Sequence, residues 1–236
     1  MKKRIWELDA LRGLFVLCVV FIHLMYDLTD LYNLIDFEYP AVYLFVQDWG
    51  GVLFLLISGV CVTLGSHCIR RGMLVFLCGL AITAVTAGMY SLGMAGSGII
   101  IYFGVLHCLG ICMLLWPLFR KLPTWALAAV GTVLAITSLF LKNVPISHNW
   151  LMPLGLVSPH FASADYFPLL PHLGFFLLGA FMGKTLYRKK QSLLPNVNPE
   201  ILPLRFFRLC GKHSLWIYLL HQPILSGIFW LILSLQ

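Results

Sequence analysis

Residues 10–27 read ALRGLFVLCVVFIHLMYD, an almost unbroken apolar run that is long enough to cross a lipid bilayer as a helix. The basic residues at positions 2–4 precede it, a combination that is also typical of a signal peptide. Three features argue against cleavage: Glu7, Asp9 and Arg12 crowd the flank, no A-x-A-like site follows, and further apolar segments come later. The sequence therefore predicts a permanent first transmembrane helix.

The composition of the whole chain has the same character as this segment. Of the 236 residues, 60% are hydrophobic and 11% are charged, and the mean hydropathy is +0.91. Soluble domains are about half apolar and about a quarter charged. The alternating segments of about 10 residues that build an outer-membrane barrel are absent. The composition predicts an all-α polytopic membrane bundle, one domain over residues 1–236, and argues against a nucleic-acid-binding protein, a disulfide scaffold and a disordered chain.

About seven transmembrane helices are predicted from the apolar segments, at residues 10–27, 44–65, 73–92, 98–118, 123–141, 166–186 and 213–234. Lys and Arg collect in cytoplasmic loops of membrane proteins. With the N-terminus inside, 14 of the 16 basic residues fall on the cytoplasmic side. Lys142 lies outside, and Arg12 begins the first helix. The sequence therefore predicts a cytoplasmic N-terminus and an extracytoplasmic C-terminus.

The first helix carries the most informative group of ionisable residues, which are costly within a span and usually face the bundle interior. Arg12 and His23 are eleven residues apart, so they share one face roughly 16 Å apart along the axis. Asp27 follows His23 by one turn and can hydrogen-bond one imidazole nitrogen, which leaves the other as a base. Asp9 could hold the Arg12 guanidinium. The alternative is that Arg12 and His23 only reach toward the two membrane interfaces.

Other predicted spans also contain ionisable side chains. They are Asp48 in the second span, His107 in the fourth, His172 in the sixth and His221 in the seventh. Asp48 and His172 lie toward the outer side, as His23 does near the outer end of its helix, whereas His107 and His221 are predicted at mid-membrane. We expect these groups to converge on a cavity that opens outward.

Two motifs on the predicted spans are interpreted as packing features. His107 stands beside Cys108, with Cys112 one turn later, which invites a metal interpretation. On a helix, however, His107 points about 100° away from Cys108, and the sequence offers no second thiolate cluster. No metal site is therefore predicted, and the cysteines are expected to fill a helix interface. Gly179 and Gly183 have the spacing that is typical of close helix packing.

The loop between the last two predicted spans is rich in basic residues. Between positions 184 and 212 these are Lys184, Arg188, Lys189, Lys190, Arg205, Arg208 and Lys212. Membrane topology accounts for most of them. Some of them could also contact a phosphorylated ligand, because Arg and Lys bind phosphate oxygens.

Several stretches resemble a known family. ELDALRGLFVLCVVFIH (7–23) resembles the first-helix signature of transmembrane acyltransferases. Four more stretches are similar to the bacterial members of the heparan-alpha-glucosaminide N-acetyltransferase catalytic-domain family: FLLISG (54–59), FGVLHCLG (103–110), DYFPLLPHLGFFLLG (165–179) and GKHSLWIYLLHQP (211–223). These stretches are spread over most of the chain and keep the family's order.

The resemblance implies acyl transfer across a bacterial inner membrane by a multi-pass protein. The donor would be an acyl-CoA, most simply acetyl-CoA, bound from the cytoplasm, and the acceptor a hydroxyl or amine of a sugar or lipid-linked molecule outside. The resemblance implies neither a metal nor a nucleic acid. Membrane lipid is an expected partner, and a homo-oligomer is compatible with the resemblance. The predicted donor contacts are Arg12, His107, Arg205 and Arg208, and the predicted acceptor contacts are Asp48, Asp165 and His172.

The position of the catalytic base stays open at the level of sequence. Some family members place a histidine in the loop after the first helix, but residues 24–47 contain none. His23, His172 and His221 therefore compete for the role. His23 paired with Asp27 is the first choice and His221 the second, because a base must reach the acceptor proton and titrate near neutral pH.

Two other functions are compatible with the sequence. A proton-coupled small-molecule transporter could use the buried His and Asp residues as a relay. No inverted repeat and no paired broken helices are visible, which argues against that fold. A membrane scaffold without catalytic activity would not need Arg12, His23 and Asp27 in alignment.

Overall fold

The apolar segments of the sequence fold as helices, because within a bilayer every backbone N–H and C=O must find its partner inside its own segment. The structure is a computed structural model that describes residues 4–141, 144 and 146–235, with Ser138 described in its backbone alone. The helices are α1 (Trp6–Tyr26), α2 (Ala41–Leu64), α3 (Cys68–Ser91), α4 (Val105–Phe119), α5 (Thr124–Leu141), α6 (Leu169–Leu186), α7 (Leu202–Lys212) and α8 (Ser214–Ser234). Every regular element in this part of the chain is helical, which confirms the predicted all-α class.

Six of these helices are long and apolar enough to cross a membrane: α1, α2, α3, α5, α6 and α8. The fourth predicted span, 98–118, is shorter in the structure, because α4 begins only at Val105 and has 15 residues. A 3-10 turn at Ser97–Ile99 and an extended segment precede α4. Gly96, Gly98 and Gly104 lie in or beside these segments, and glycine disfavours a continuous helix. The chain is a multi-pass membrane protein; its orientation stays a prediction.

Helix α7 lies in a segment for which the sequence predicts a basic loop. Its sequence, LPLRFFRLCGK, has a proline in the first turn, where the missing N–H costs nothing. Cys210 and Gly211 are buried, while Arg205 and Lys212 on another face are exposed. The helix is therefore amphipathic, and the spacing of its basic residues was a signal that could have revealed it.

The chain divides into two compact units, and the first comprises Met1–Phe54 and Lys189–Gln236. In this unit α1 packs against α7 and α8. The Cα of Gly211 faces the backbone carbonyl of Asp9, and the Cα of Gly13 faces the carbonyl of Phe207. A Cβ at either glycine would collide with backbone rather than with a movable side chain. The two helices therefore touch backbone to backbone at this crossing.

In the second unit, Leu55–Arg188, glycines also allow the helix backbones to make close contact. Gly131 and Gly174 bring α5 against α6, and a Cβ on Gly110 of α4 would meet the backbone of α3. Gly179 and Gly183 of α6 face backbone carbonyls in the C-terminal part of α2. The packing role predicted for these last two glycines is confirmed. Close glycine contacts are expected in membranes, where dispersion and close backbone approach hold helices together. The prediction of one domain stays a prediction.

Candidate functional site

Two histidines from distant parts of the sequence meet in the first unit. The rings of His23 on α1 and His221 on α8 have centroids 4.9 Å apart, with their planes at 57°. His221 is buried, with 9% of its surface exposed, and His23 is half-buried. The structure thus brings together the first and second sequence-based choices for the catalytic base.

The register between α1 and the α7–α8 segment places these rings at the same level. Gly13 and Gly211 form the backbone contact described above, and each lies ten residues before one of the histidines. Ten residues of α1 rise by about 15 Å. The same number of residues leads from Gly211 through the end of α7 and His213 to His221, so the two segments run in the same direction between the glycine contact and the ring contact. The expectation that His23 lies at the outer end of its helix and His221 at mid-membrane is therefore wrong for their relative depth.

The hydrogen bonding of His221 fixes which ring nitrogen can act as a base. Its Nδ1 lies 2.6 Å from the carbonyl oxygen of Tyr218. A carbonyl can only accept, so Nδ1 carries the proton, and in the neutral ring Nε2 keeps its lone pair. Nε2 is buried and has no hydrogen-bond partner among the described residues. His221 therefore presents an unused acceptor inside the protein, a group that normally requires a partner.

Asp27 lies one turn after His23 on the chain and is fully buried, with 0% of its surface exposed. Both of its carboxylate oxygens are 3.1 Å from Nε2 of Gln222, which donates to them. The hydrogen bond that the sequence predicts between Asp27 and His23 is thus replaced by one from α8. Gln222 was missed in the sequence, although an amide directly after His221 in an apolar span was a visible signal.

Arg12 lies at the opposite end of α1, in a second polar cluster. Its Nη2 forms an ion pair with Asp9 Oδ1, as the sequence suggests. Arg4 approaches the other oxygen of Asp9 at 3.8 Å, and Glu7 accepts the backbone N–H of Leu193 at 2.8 Å. Nε of Arg12 is buried and makes no hydrogen bond with the described residues. The guanidinium is therefore held by α1 itself and keeps one unused donor.

The remaining polar candidates of the first unit are on its surface or in ion pairs. Arg208 donates from Nη2 to Glu200 Oε1 at 2.7 Å, and only 18% of its side chain is exposed. Arg205 is exposed on α7, and Asp48 is exposed on α2. Arg205 is thus accessible to an anion, whereas Arg208 already has a carboxylate partner.

A cavity of about 400 Å³ lies just beyond the C-terminal end of α1. Its wall includes the polar side chains of Asp30, Asn33 and Asp36 and the ring of Tyr39. The Tyr39 hydroxyl donates to Asp30 Oδ2 at 2.8 Å and also contacts the hydroxyl of Thr29. Carboxylate, amide and phenol groups around one cavity can form hydrogen bonds to a polyhydroxylated or amine-bearing molecule.

His107, in the second unit, has both ring nitrogens engaged within the protein. Nδ1 accepts the backbone N–H of Gly104 at 3.2 Å, so Nε2 carries the proton and donates to the Thr83 hydroxyl at 3.3 Å. The ring stacks on Phe103 with centroids 5.6 Å apart. A donor contact by His107, as predicted from the sequence, would require one of these hydrogen bonds to break.

Asp165 closes the N-terminal end of α4. Its Oδ2 accepts the backbone N–H of Val105 at 3.0 Å, where a carboxylate also interacts favourably with the helix dipole. The next residue, Tyr166, donates from its phenol to the carbonyl of Met152 at 2.7 Å. Burial raises the pKa of Tyr166 to about 12, so this donor stays protonated at neutral pH. The acceptor contact predicted for Asp165 would thus fall on an oxygen that already caps a helix.

His172 in α6 has the same tautomer as His221. Its Nδ1 lies 2.6 Å from the carbonyl oxygen of Pro168, so Nδ1 donates and Nε2 is the acceptor of the ring. The ring also lies 4.9 Å from that of Phe167.

Among the described residues, no group of three or more His, Cys, Asp or Glu side chains could hold a metal ion.

The chain matches a known protein family. A sequence model described as "Heparan-alpha-glucosaminide N-acetyltransferase, catalytic" matches residues 4–223. This range contains His23, His221 and all the other candidate residues named above. No curated protein and no solved structure matches the chain.

Proposed function

Since the chain belongs to the heparan-alpha-glucosaminide N-acetyltransferase catalytic family, a family of membrane acetyltransferases, we propose that it transfers an acetyl group from acetyl-CoA to a hydroxyl or amine of a sugar or lipid-linked acceptor. The donor binds from the cytoplasm and the acceptor from the outer side of a bacterial inner membrane. The observation that carries this proposal is the buried, unpartnered Nε2 of His221 next to the ring of His23.

His221 acts as the general base in this reaction. Its Nε2 takes the proton from the acceptor hydroxyl or amine while the acceptor oxygen or nitrogen attacks the thioester carbonyl. The C–S bond then breaks, and the CoA thiolate leaves. The proton on the imidazolium returns to this sulfur, so the step releases CoA thiol without a net proton. The bond from Nδ1 to Tyr218 holds the ring in the tautomer that this role needs.

His23 assists the proton transfer from the neighbouring position on α1. With its ring centroid 4.9 Å from that of His221, it can carry the proton between the base and the departing thiolate. The sequence favours His23 as the base because of its alignment with Arg12. The hydrogen bonding favours His221, since the tautomer and the unused acceptor are both defined for that ring.

The donor is held at the opposite end of α1, where Arg12 lies. Its unpaired Nε supports a contact with an oxygen of CoA, and the exposed Arg205 offers a second cationic contact. Arg208 would share its guanidinium between Glu200 and the donor. Arg12 and His23 are roughly 16 Å apart along α1, a distance that the extended pantetheine arm would follow toward the histidines.

The acceptor approaches from the side where the cavity beyond α1 lies. Asp30, Asn33 and Asp36 on its wall support hydrogen bonding to hydroxyl or amine groups. Of the acceptor contacts proposed from the sequence, Asp48 is exposed on α2 of the first unit, and His172 of the second unit keeps an Nε2 that can accept a hydrogen bond. Asp165 is the weakest of these proposals, because it already caps α4.

Donor binding can be tested through thermal stability of the purified protein. A ligand that binds the native state stabilises it by about 2.7 kcal/mol at 100 times its Kd. We expect acetyl-CoA and CoA to raise the melting temperature of the wild type, and Arg12→Ala to reduce this increase more than Arg205→Ala, Lys189→Ala or Lys190→Ala does. The ligand-induced increase is compared within each variant, so a lower starting stability does not affect the result. An unchanged increase in Arg12→Ala would assign Arg12 to the membrane interface alone.

A further inference from the structure

The contact between Asp27 and Gln222 joins the two helices that carry the histidines. Gln222 directly follows His221 on α8, and Asp27 lies one turn after His23 on α1. The amide donates to both carboxylate oxygens at 3.1 Å, and Asp27 is fully buried. No ion pair to Asp27 is found in the described part of the chain. The amide is thus the group that satisfies a buried carboxyl, whose isolation would be costly.

Both helices depart from regular α-helical hydrogen bonding at this level. Pro223 lies inside α8 and has no N–H, which removes one helical hydrogen bond directly after Gln222. Helix α1 passes at Asp27 into a π-helical turn, Asp27–Leu31. Such departures from α geometry change the direction of side chains and are frequent at functional sites. The hydrogen bonds from Gln222 to Asp27 join the two helices at this same level.

We propose that Gln222 is a positioning residue: through its hydrogen bonds to Asp27 it fixes α8 against α1 and so holds the imidazole of His221 beside that of His23. The inference rests on the proposed function, because it assigns Gln222 a part in acetyl transfer. The glycine contact at Gly13 and Gly211 sets the register at one end of the helix pair, and the Asp27–Gln222 contact sets it at the other.

The chemistry of this pair allows a test by exchange of the two groups. Asn has the shape of Asp, and Glu has the shape of Gln, so the double variant Asp27→Asn with Gln222→Glu keeps the length of both side chains. In this variant the donor is on α1 and the acceptor on α8, and one amide-to-carboxylate contact remains. In the single variant Gln222→Glu two carboxyl groups face each other. They cannot both be charged at this distance, so either one carboxyl takes up a proton or the helices move apart, and each of these changes alters the contact.

The experiment measures kcat and the KM for acetyl-CoA in four proteins: Gln222→Met, Gln222→Glu, the double exchange variant, and Gln47→Met as the matched control on an exposed position of α2. We expect Gln222→Met and Gln222→Glu to lower kcat by about 10- to 100-fold, because a displacement of about 1 Å can have an effect of this size. The KM for acetyl-CoA is expected to stay near its wild-type value. The double variant should recover most of the lost kcat, and Gln47→Met should behave as wild type.

Two results would overturn the inference. The first is a wild-type kcat in Gln222→Met, and the second is a double variant that is no more active than Gln222→Glu alone. A parallel double-mutant cycle of thermal unfolding on positions 27 and 222 reports the contact without any activity. If the wild type transfers no acetyl group, the proposed function fails, while coupling in this cycle still decides whether the two side chains tie the helices together. If the two positions do not couple, the inference fails whatever the activity.

Discussion

Replacing His221 by Ala is expected to lower the rate of acetyl transfer by about 10²- to 10⁴-fold, the usual effect of losing a general base. The reason is the unpartnered Nε2, which keeps its lone pair because Nδ1 donates to the Tyr218 carbonyl. The increase in melting temperature caused by CoA should persist in this variant, because the proposed donor contacts lie at the other end of α1. Initial rates with acetyl-CoA and an amino sugar, together with the CoA-dependent melting shift, measure both effects.

Variants of two other histidines complete this test. His23→Ala should lower the rate less than His221→Ala does, since His23 only passes the proton on. His213→Ala, at the exposed start of α8, should leave the rate unchanged. Should His23→Ala be the inactive protein and His221→Ala keep near-normal turnover, the base is His23, and the choice favoured by the sequence is correct.

Adding a single methyl group at Gly211 is expected to destabilise the first unit by about 1–3 kcal/mol or more. A Cβ at this position collides with the carbonyl of Asp9 and approaches the backbone nitrogen of Gly13. Backbone atoms cannot move aside as a flexible side chain can, so α7 would have to shift away from α1. The melting temperature of Gly211→Ala in detergent measures this effect.

Gly227→Ala is the matched control, because a Cβ there meets nothing within 4 Å. Gly227→Ala should have a melting temperature equal to that of the wild type or slightly higher, because alanine favours a helix more than glycine does. Equal melting temperatures for the two variants would contradict the close contact between α1 and α7. Loss of turnover in a Gly211→Ala protein that is still folded would show that the same contact also sets the position of His221.

The elements that the sequence predicts correctly are determined by residues that lie close together in the chain. The length and hydropathy of each apolar run are enough to predict a helix in a bilayer, because the backbone has no other partner there. The ion pair between Asp9 and Arg12 and the close packing at Gly179 and Gly183 follow equally from helical spacing. Asp9 and Arg12 are one turn apart on the same helix. For Gly179 and Gly183, the small size and the spacing of the residues indicate the contact.

The features that the sequence does not predict depend on register between distant helices. Asp27 and Gln222 are 195 residues apart, and their contact follows from how α7 crosses α1 at Gly13 and Gly211. Depth along a span, counted from each helix separately, places His23 and His221 at different levels. The contact between Gly13 and Gly211 sets the position of α7 along α1, and therefore the level of α1 at which α8 begins. This level places His221 beside His23.

Most of the hydrogen bonds of His107 and Asp165 join residues that are distant in the sequence. His107 takes its partners from the turn before α4 and from Thr83 on α3, and Asp165 caps a helix 60 residues earlier in the chain. An ionisable residue in an apolar segment indicates a polar environment, but it does not distinguish a substrate contact from a structural hydrogen bond. The hydrogen-bond partners show which side-chain atoms are already engaged within the protein.

The central claim, acetyl transfer across the membrane by the His23–His221 pair, is tested most directly in sealed proteoliposomes. Glucosamine is enclosed in the vesicles as the acceptor probe, and acetyl-CoA labelled in its acetyl group is added outside. We predict that labelled acetylated sugar accumulates inside vesicles with the wild type and that this product is lost with His221→Ala. Labelled acetyl-CoA that enters unchanged, sugar that leaves unacetylated, or an equal yield of product with His221→Ala would contradict the claim.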